Sequence, residues 1–166
     1  MELIGDWKKA AKKFANLDRE MRAAVARAGA RLGPEVAQAI RVEMGGSFPR
    51  LHPFTAEAKG SDRPLVGGEL EQALTFRVTP RGNALVVWAG IAPGPLGRVA
   101  RVQEYGCTIA VTDRMRAYLH AEGLHLSAAT EYIAIPPRPF VRPGLRRARG
   151  LVRAALTREL RPVFRW

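Results

Sequence analysis

The chain has 166 residues, 47% of them hydrophobic, and a formal net charge of +12. This length fits one domain, or one domain with extended arms, and the hydrophobic fraction argues against a disordered chain. The apolar runs are too short for a membrane-spanning helix, no signal peptide is expected, and the single Cys107 excludes an internal disulfide.

The positive charge is concentrated near the C-terminus. Residues 136–166 contain nine arginines against Glu159 alone, a net of +8, whereas residues 1–45 have nine basic against six acidic residues and 46–135 nine against eight. Such a patch can meet nucleic acid, an anionic surface or the acidic face of another protein. A solvated helix face is the simpler alternative, and the charge alone does not separate these interpretations.

Residues 6–44 predict a long amphipathic helix in two pieces. Apolar residues recur there at three- and four-residue steps, and Asp6 is the expected N-cap. Gly33 and Pro34 predict a kink or a restart, and Gly45 marks the end. Core packing is the first interpretation of this apolar stripe, and a partner interface is the second.

The middle of the chain predicts a loop followed by a β-hairpin. Residues 46–67 lack periodicity and predict a long surface loop, which leads into a turn and a short helical step at 65–70. Residues 73–78 and 84–91 have strand-like patterns, and the Pro- and Gly-containing residues 79–83 between them favour an antiparallel hairpin turn.

The remainder predicts two more strands and three helices. The strands are expected at 107–111 and 131–135; the helices are expected at 98–105, ended by Gly106, at 113–121, capped by Thr112 or Asp113, and at 141–160.

This order predicts an α+β domain with a small, mostly antiparallel sheet of about four strands. A long N-terminal helix, a helix across the sheet and a basic C-terminal helix accompany the sheet. We expect one domain over 1–166, divided into an N-terminal helical arm (1–45), a loop (46–67), an α+β core (68–135) and a proline strap with the basic helix (136–166). The unpaired edges of so small a sheet favour packing between subunits.

Residues 135–145, which read IPPRPFVRPGL, form the segment that we call the strap. Its prolines fix the backbone in an extended conformation, and Pro143 suits the first turn of the helix that follows. Phe140 is its large apolar residue, with Arg138 and Arg142 on either side. Because the strap contains neither a nucleophile nor a metal ligand, it is typical of a docking element.

Signatures of catalysis are missing from the sequence. His120 and His125 are five residues apart, which does not place them on one helical face, and no HExxH or CxxC motif accompanies them. Cys107 is expected to be a small buried residue. The glycine-rich residues 89–97 lack the order of a phosphate-binding loop. We therefore expect no enzymatic activity, no metal and no cofactor.

Three segments occur in a distinctive order: RPLVGGELEQALTFRV at 63–78, ARVQEYGCTIAVTDRMRAYLHAEGLHL at 100–126, and the strap at 135–145. In this order they resemble the phage virion-morphogenesis family of tail-completion or neck proteins of Mu-like and related tailed phages. The most specific pair is Glu104-Tyr105-Gly106 with the strap. One departure lies at 66–70, where the family more often has a polar residue and then Thr-Gly before the leucine.

The resemblance implies a structural virion protein at the head–tail junction. Such a protein assembles as a homo-oligomeric ring around the genome DNA and joins portal-connector proteins to the tail tube or its terminator. It implies location in the virion, assembly in the host cytoplasm and no membrane partner. The alternatives are a tail terminator that caps the tube and, in a different class, a small non-specific DNA-binding protein.

Two sets of residues are expected to make the contacts. The expected subunit or partner interface contains Pro136, Pro137, Arg138, Pro139, Phe140, Arg142, Glu104 and Tyr105. In this hypothesis Phe140 inserts into a pocket of a neighbouring subunit; the alternative is that it seals its own core. Four arginines at three- and four-residue steps form a second face towards DNA or an acidic virion protein: Arg142, Arg146, Arg149 and Arg153.

Overall fold

A computed structural model of the chain describes residues 7–81 and 84–164. The expected α+β class is confirmed. The elements are α1 (Trp7–Met44), α2 (Pro53–Lys59), α3 (Glu69–Gln72), β1 (Leu74–Arg81), β2 (Ala84–Ile91), α4 (Pro95–Tyr105), β3 (Cys107–Ala110), α5 (Asp113–Ala121), β4 (Tyr132–Ile135) and α6 (Val141–Leu160). The expected N-cap Asp6 and the turn residues Gly82 and Asn83 lie outside the described residues.

The N-terminal helix is continuous, so the predicted division into two pieces is wrong. Helix α1 has 38 residues and contains Pro34. A proline inside a helix removes one backbone hydrogen bond. Leu32 before it and Val36 after it are both buried, and packing of this kind supplies most of the stability of helices in proteins. The burial of Leu32 and Val36 therefore offsets the hydrogen bond lost at Pro34, and the helix stays continuous.

The glycines of α1 serve close packing rather than a break. A Cβ atom on Gly33 would lie 2.3 Å from Cδ2 of Phe76, and one on Gly29 would lie 1.9 Å from Cδ2 of Leu85. Because glycine has no side chain, strands β1 and β2 can lie directly on the helix at these two positions.

The four strands form two separate antiparallel pairs instead of one sheet. Strand β1 pairs with β2 from Leu74 opposite Ile91 to Arg81 opposite Ala84, which confirms the predicted hairpin and extends its first strand. Strand β3 pairs with β4 over four residues. The first pair packs on α1, whereas the second pair makes its main contacts within itself. The strands therefore do not merge into a single sheet.

Helix α6 runs antiparallel to α1, and the main core lies where they meet. Arg147 forms an ion pair with Glu43, close to the C-terminal end of α1, and Glu159 forms one with Arg27. A Cβ atom on Gly144 would lie 2.6 Å from Cα of Ile40, so the two backbones approach closely there. The buried residues of this core are Val36, Ala39, Ile40, Met44, Leu65, Leu74, Ala100, Phe140 and Ala148.

The segment 46–67, predicted as a loop, contains the short helix α2. Lys59 at its end donates hydrogen bonds from Nζ to the carbonyl oxygens of Arg63, Pro64 and Val66. These three acceptors satisfy the three donors of an ammonium group. Burial lowers the pKa of Lys59, and the nearby carboxylate of Glu71 raises it, with a net lowering. One side chain thus orders the segment that follows α2.

Candidate functional site at the strap and the C-terminal helix

Glu104, near the end of α4, binds the backbone at the start of α6. Its side chain is 4% exposed. Oε2 accepts hydrogen bonds from the N–H groups of Phe140 at 2.7 Å and Val141 at 2.9 Å, and Oε1 accepts from the N–H of Arg142 at 3.1 Å. The first N–H groups of a helix have no partners within the helix. Glu104 therefore acts as an N-terminal cap supplied by a distant part of the chain.

The same arrangement keeps Glu104 ionised. Burial of the carboxyl raises the pKa of Glu104, but the backbone N–H groups of Phe140, Val141 and Arg142 and the Arg142 side chain lower it by more. Nε of Arg142 donates to Oε1 at 3.3 Å. A carboxylate is also favoured at the positive end of the helix dipole. The net pKa of Glu104 consequently lies below its ordinary value, and its negative charge is an internal part of the fold.

Phe140 is fully buried inside its own chain. It belongs to the core cluster that contains Ile40 and Met44. The hypothesis that Phe140 inserts into a pocket of a neighbouring subunit is therefore corrected: its side chain already fills its own core, as the stated alternative has it. Glu104 is likewise buried and engaged within the chain, so neither side chain is part of the exposed surface.

Residues 136–139 of the strap are extended, with alternating burial, whereas the strap residues from Val141 onwards belong to α6. Pro137 and Pro139 are exposed, whereas Arg138 and Phe140, which follow them in turn, are buried. Pro136 is exposed as well. In an extended chain, successive side chains point to opposite sides. The strap thus directs Arg138 and Phe140 inwards and leaves Pro136, Pro137 and Pro139 on the surface.

Arg138 is an unusual buried cation. Its backbone N–H donates to the carbonyl oxygen of Gln103 at 2.6 Å, and its Nη1 donates to Oε1 of Gln103 at 2.8 Å. Within the described residues, its Nε atom has no hydrogen-bond partner. Burial lowers the pKa of Arg138, although a guanidinium stays charged in proteins. Arg138 fastens the strap to α4 and is not part of an exposed surface.

Tyr105 and Arg142 form the exposed part of this site. The guanidinium carbon of Arg142 lies 4.7 Å from the ring centroid of Tyr105, in cation–π geometry. Tyr105 is 58% exposed. Arg142 thus contacts both Glu104 and Tyr105, and this pair lies where α4 meets α6.

The expected arginine face of α6 is present and exposed. Arg146, Arg149 and Arg153 are exposed and, within the described residues, form no ion pair. A depression of about 440 Å³ is lined by Arg142, Arg146, Arg149, Pro139 and neighbouring residues. Arg147 and Arg158 instead pair with Glu43 and Glu159. The face therefore carries positive charge that no carboxylate of the described chain neutralises.

His120 and His125 are closer than their spacing suggested. Their ring centroids are 4.0 Å apart, at an interplanar angle of 75°. Helix α5 ends at Ala121, and Gly123 has a φ of 85°, so the chain turns back and returns His125 to His120. Among the described residues, no group of three histidine, cysteine, aspartate or glutamate side chains is placed to hold a metal ion.

No protein-family model, curated protein or solved structure matches the chain. Within the described residues, no helix is both long enough and apolar enough to span a membrane. The exposed parts of the candidate site are the strap prolines Pro136, Pro137 and Pro139, the Tyr105–Arg142 pair and the arginine face of α6.

Proposed function

We propose that this chain is a structural virion protein at the head–tail junction of a tailed phage. In this role it forms a homo-oligomeric ring that joins the portal-connector proteins to the tail. It assembles in the host cytoplasm and remains in the virion. It acts without catalysis or a cofactor.

The observation that carries the proposal is the contact between the two most specific segments of the family resemblance. Glu104 of the Glu-aromatic-Gly step binds the backbone of the strap. Gly106 belongs to the same contact, since a Cβ atom there would lie 2.9 Å from the carbonyl oxygen of Ile135 and 3.0 Å from the nitrogen of Pro137. Two motifs that are distant in sequence are therefore parts of one structural unit, which gives a physical reason for their joint occurrence.

The extent of exposed surface also supports an assembly subunit. The chain exposes 12185 Å², whereas a compact monomer of its mass exposes about 8,100 Å² by the usual scaling with molecular mass. Large apolar side chains contribute to this surface. The aromatic members are Phe14, Phe76, Trp88, Tyr105, Tyr118, Tyr132 and Phe164.

Electron microscopy of purified particles tests the proposal. We expect density for this chain as a collar between portal and tail, with the arginine face of α6 turned either to the DNA or to an acidic neighbouring protein. Density on the capped end of tail tubes that have not yet joined a head would instead favour the terminator role. Particles that lack the chain altogether would contradict both virion roles.

The unpaired charges of Arg146, Arg149 and Arg153 favour one second candidate, non-specific binding of DNA. If all three contact phosphates, replacing them with glutamine reduces the slope of log affinity against log salt by about 2.7. A control of equal charge replaces three exposed arginines elsewhere: Arg77, Arg98 and Arg114. Equal loss of duplex binding in both triple variants would show that only net charge matters. Absence of duplex binding by the wild-type chain at low salt would contradict this candidate.

A further inference from the structure

The first part of α1 extends past the body of the protein. Among the α1 side chains that the structure describes, none before Ala24 is buried. Glu159, at the end of α6, pairs with Arg27 and Arg31, so α6 extends along α1 only to about Arg27. The 17 residues from 7 to 23 rise about 25 Å as a helix. We call residues 11–23 the projecting segment.

The projecting segment carries an apolar stripe on one face. Phe14, Leu17 and Met21 follow three- and four-residue steps, which place them on the same side of a helix. Phe14 is 59% exposed, Met21 is 36% exposed and Leu17 is half-buried. Asp18 lies at the edge of this stripe, with its side chain 76% exposed. An amphipathic helix of this kind is suited to a hydrophobic groove.

An apolar groove lies between α1, β2 and α6. It encloses about 510 Å³, with Leu32 of α1 in its floor, Val87 of β2 on one side and the α6 residues Leu145 and Val152 on the other. Leu145 is 42% exposed and Val152 is 39% exposed. Arg149 lies at its edge. We call this feature the groove.

The projecting segment cannot enter the groove of its own chain. The segment and the groove floor, which includes Gly29 and Leu32, belong to one continuous helix. A helix cannot fold back onto itself without breaking, so a segment of this sequence reaches such a groove only from another copy. The α1 residues that line the groove, Val25 to Val36, span about 18 Å, and the projecting segment spans about 20 Å.

One charge at the edge of each surface is complementary to the other. Asp18 borders the apolar stripe, and Arg149 borders the groove. Within one chain Asp18 pairs with Arg22 at 3.0 Å, with both side chains largely exposed. Exposed pairs of this type contribute little to stability, so Asp18 can exchange Arg22 for a cation of another copy at little cost.

From these observations we propose that the projecting segment of one copy docks in the groove of a second copy, with its apolar stripe against Leu145 and Val152. The inference deepens the proposed ring by naming the two surfaces that meet, and rests on the proposed function in that respect. The contact is between unlike surfaces, so repetition from copy to copy generates a closed ring when the rotation closes.

Sedimentation of the full-length chain over a range of concentrations tests the contact. Met21→Asp in the segment and Val152→Asp in the groove each introduce a charge into the apolar contact. We expect each to weaken self-association at least about 30-fold, the effect of losing a hot-spot residue. The matched controls Ala23→Asp and Ala154→Asp change exposed positions about half a turn away on the same two helices and are expected to associate as wild type does.

Disulfide cross-linking then identifies which surfaces meet. In a Cys107→Ser background, which removes the only cysteine, one preparation carries Leu17→Cys and another Val152→Cys, near the middle of the segment and of the groove. Mixing and oxidation are expected to give the mixed dimer as the main product. Predominant Leu17→Cys homodimers would indicate pairing between segments and would overturn the inference, as would a wild-type chain that stays monomeric at millimolar concentration.

The two proposals can fail separately. A chain that forms the collar in particles but gives no mixed cross-link keeps the head–tail role and loses this contact. A chain that gives the mixed cross-link but is absent from particles keeps the contact and loses the head–tail role.

Discussion

Replacing Glu104 with glutamine removes one acceptor oxygen and the charge while it preserves the size of the side chain. The two oxygens of Glu104 together accept four hydrogen bonds, three of them from backbone N–H groups at the start of α6. The single side-chain oxygen of glutamine can still accept the hydrogen bonds from the N–H groups of Phe140 and Val141. Its NH₂ group then faces the backbone N–H and the Nε–H of Arg142, which lose their acceptor. A hydrogen bond to a charged group contributes about 1.5–3 kcal/mol. Since both hydrogen bonds from Arg142 are only part-buried, water can replace some of the lost acceptor, and we expect a loss of about 1–3 kcal/mol for Glu104→Gln.

Unfolding in urea, followed by far-ultraviolet circular dichroism, measures this loss. The midpoint is expected to fall with an unchanged slope, as a change in stability alone requires. Glu104→Ala leaves the buried N–H of Phe140 without an acceptor and is expected to cost about 3 kcal/mol or more. The control is Glu131→Gln, at an exposed carboxyl, which is expected to stay within about 0.5 kcal/mol of wild type.

The pH dependence of the free energy of unfolding tests the stabilisation by ionised Glu104 independently. Because the folded-state pKa of Glu104 lies below its ordinary value, its stabilisation is complete above the unfolded-state pKa of about 4.3. This stabilisation is lost as the pH falls through the lower folded-state pKa. The stability difference between wild type and Glu104→Gln should therefore shrink below about pH 4. If Glu104→Gln matches wild type at pH 7, or if the difference grows on acidification, the capping argument is refuted.

Three further predictions test other parts of the structure. Phe140→Ala empties a fully buried site and is expected to cost about 3–5 kcal/mol in urea unfolding; a small loss would contradict its place in the core. Gly144→Ala should destabilise the protein by about 1–3 kcal/mol, because the added Cβ meets the backbone of Ile40 in α1. Gly150→Ala adds a Cβ in open space and should stabilise the protein by up to about 1 kcal/mol through the higher helix propensity of alanine. A hydrogen bond from Arg27 lowers the pKa of Glu159 despite some burial, with further lowering by neighbouring arginines. Arg27→Gln should consequently raise that pKa in an NMR titration, and an unchanged value would contradict the pairing.

Much of the candidate site could be located from the sequence, but the roles within it could not. The proline spacing predicted an extended strap, and the steps between arginines predicted one charged face on α6. Phe140 illustrates the limit: a large apolar residue between two arginines suits a docking anchor and a core residue equally well. Only the position of α1 places Phe140 beside Ile40 and Met44 and decides for the core.

Glu104 illustrates a second limit. The sequence placed it in a distinctive Glu-aromatic-Gly step, but its partners are 36 to 38 residues away. No local signal marks a carboxylate as the cap of a distant helix. The contact between His120 and His125 was missed for a related reason, since helical spacing gives no information once the chain turns at Gly123.

The sequence by itself determined the elements whose signals are local. Helices α5 and α6 have their predicted bounds, and the hydroxyl of Thr112 accepts the N–H of Met115 as an N-cap should. Backbone hydrogen bonds, caps and turns act over a few residues, so a short window contains their causes. The tertiary structure alone decided that α1 continues through Pro34, that its glycines receive Phe76 and Leu85, and that the strands form two pairs. These outcomes depend on which surfaces are buried together, and that is a property of the whole chain.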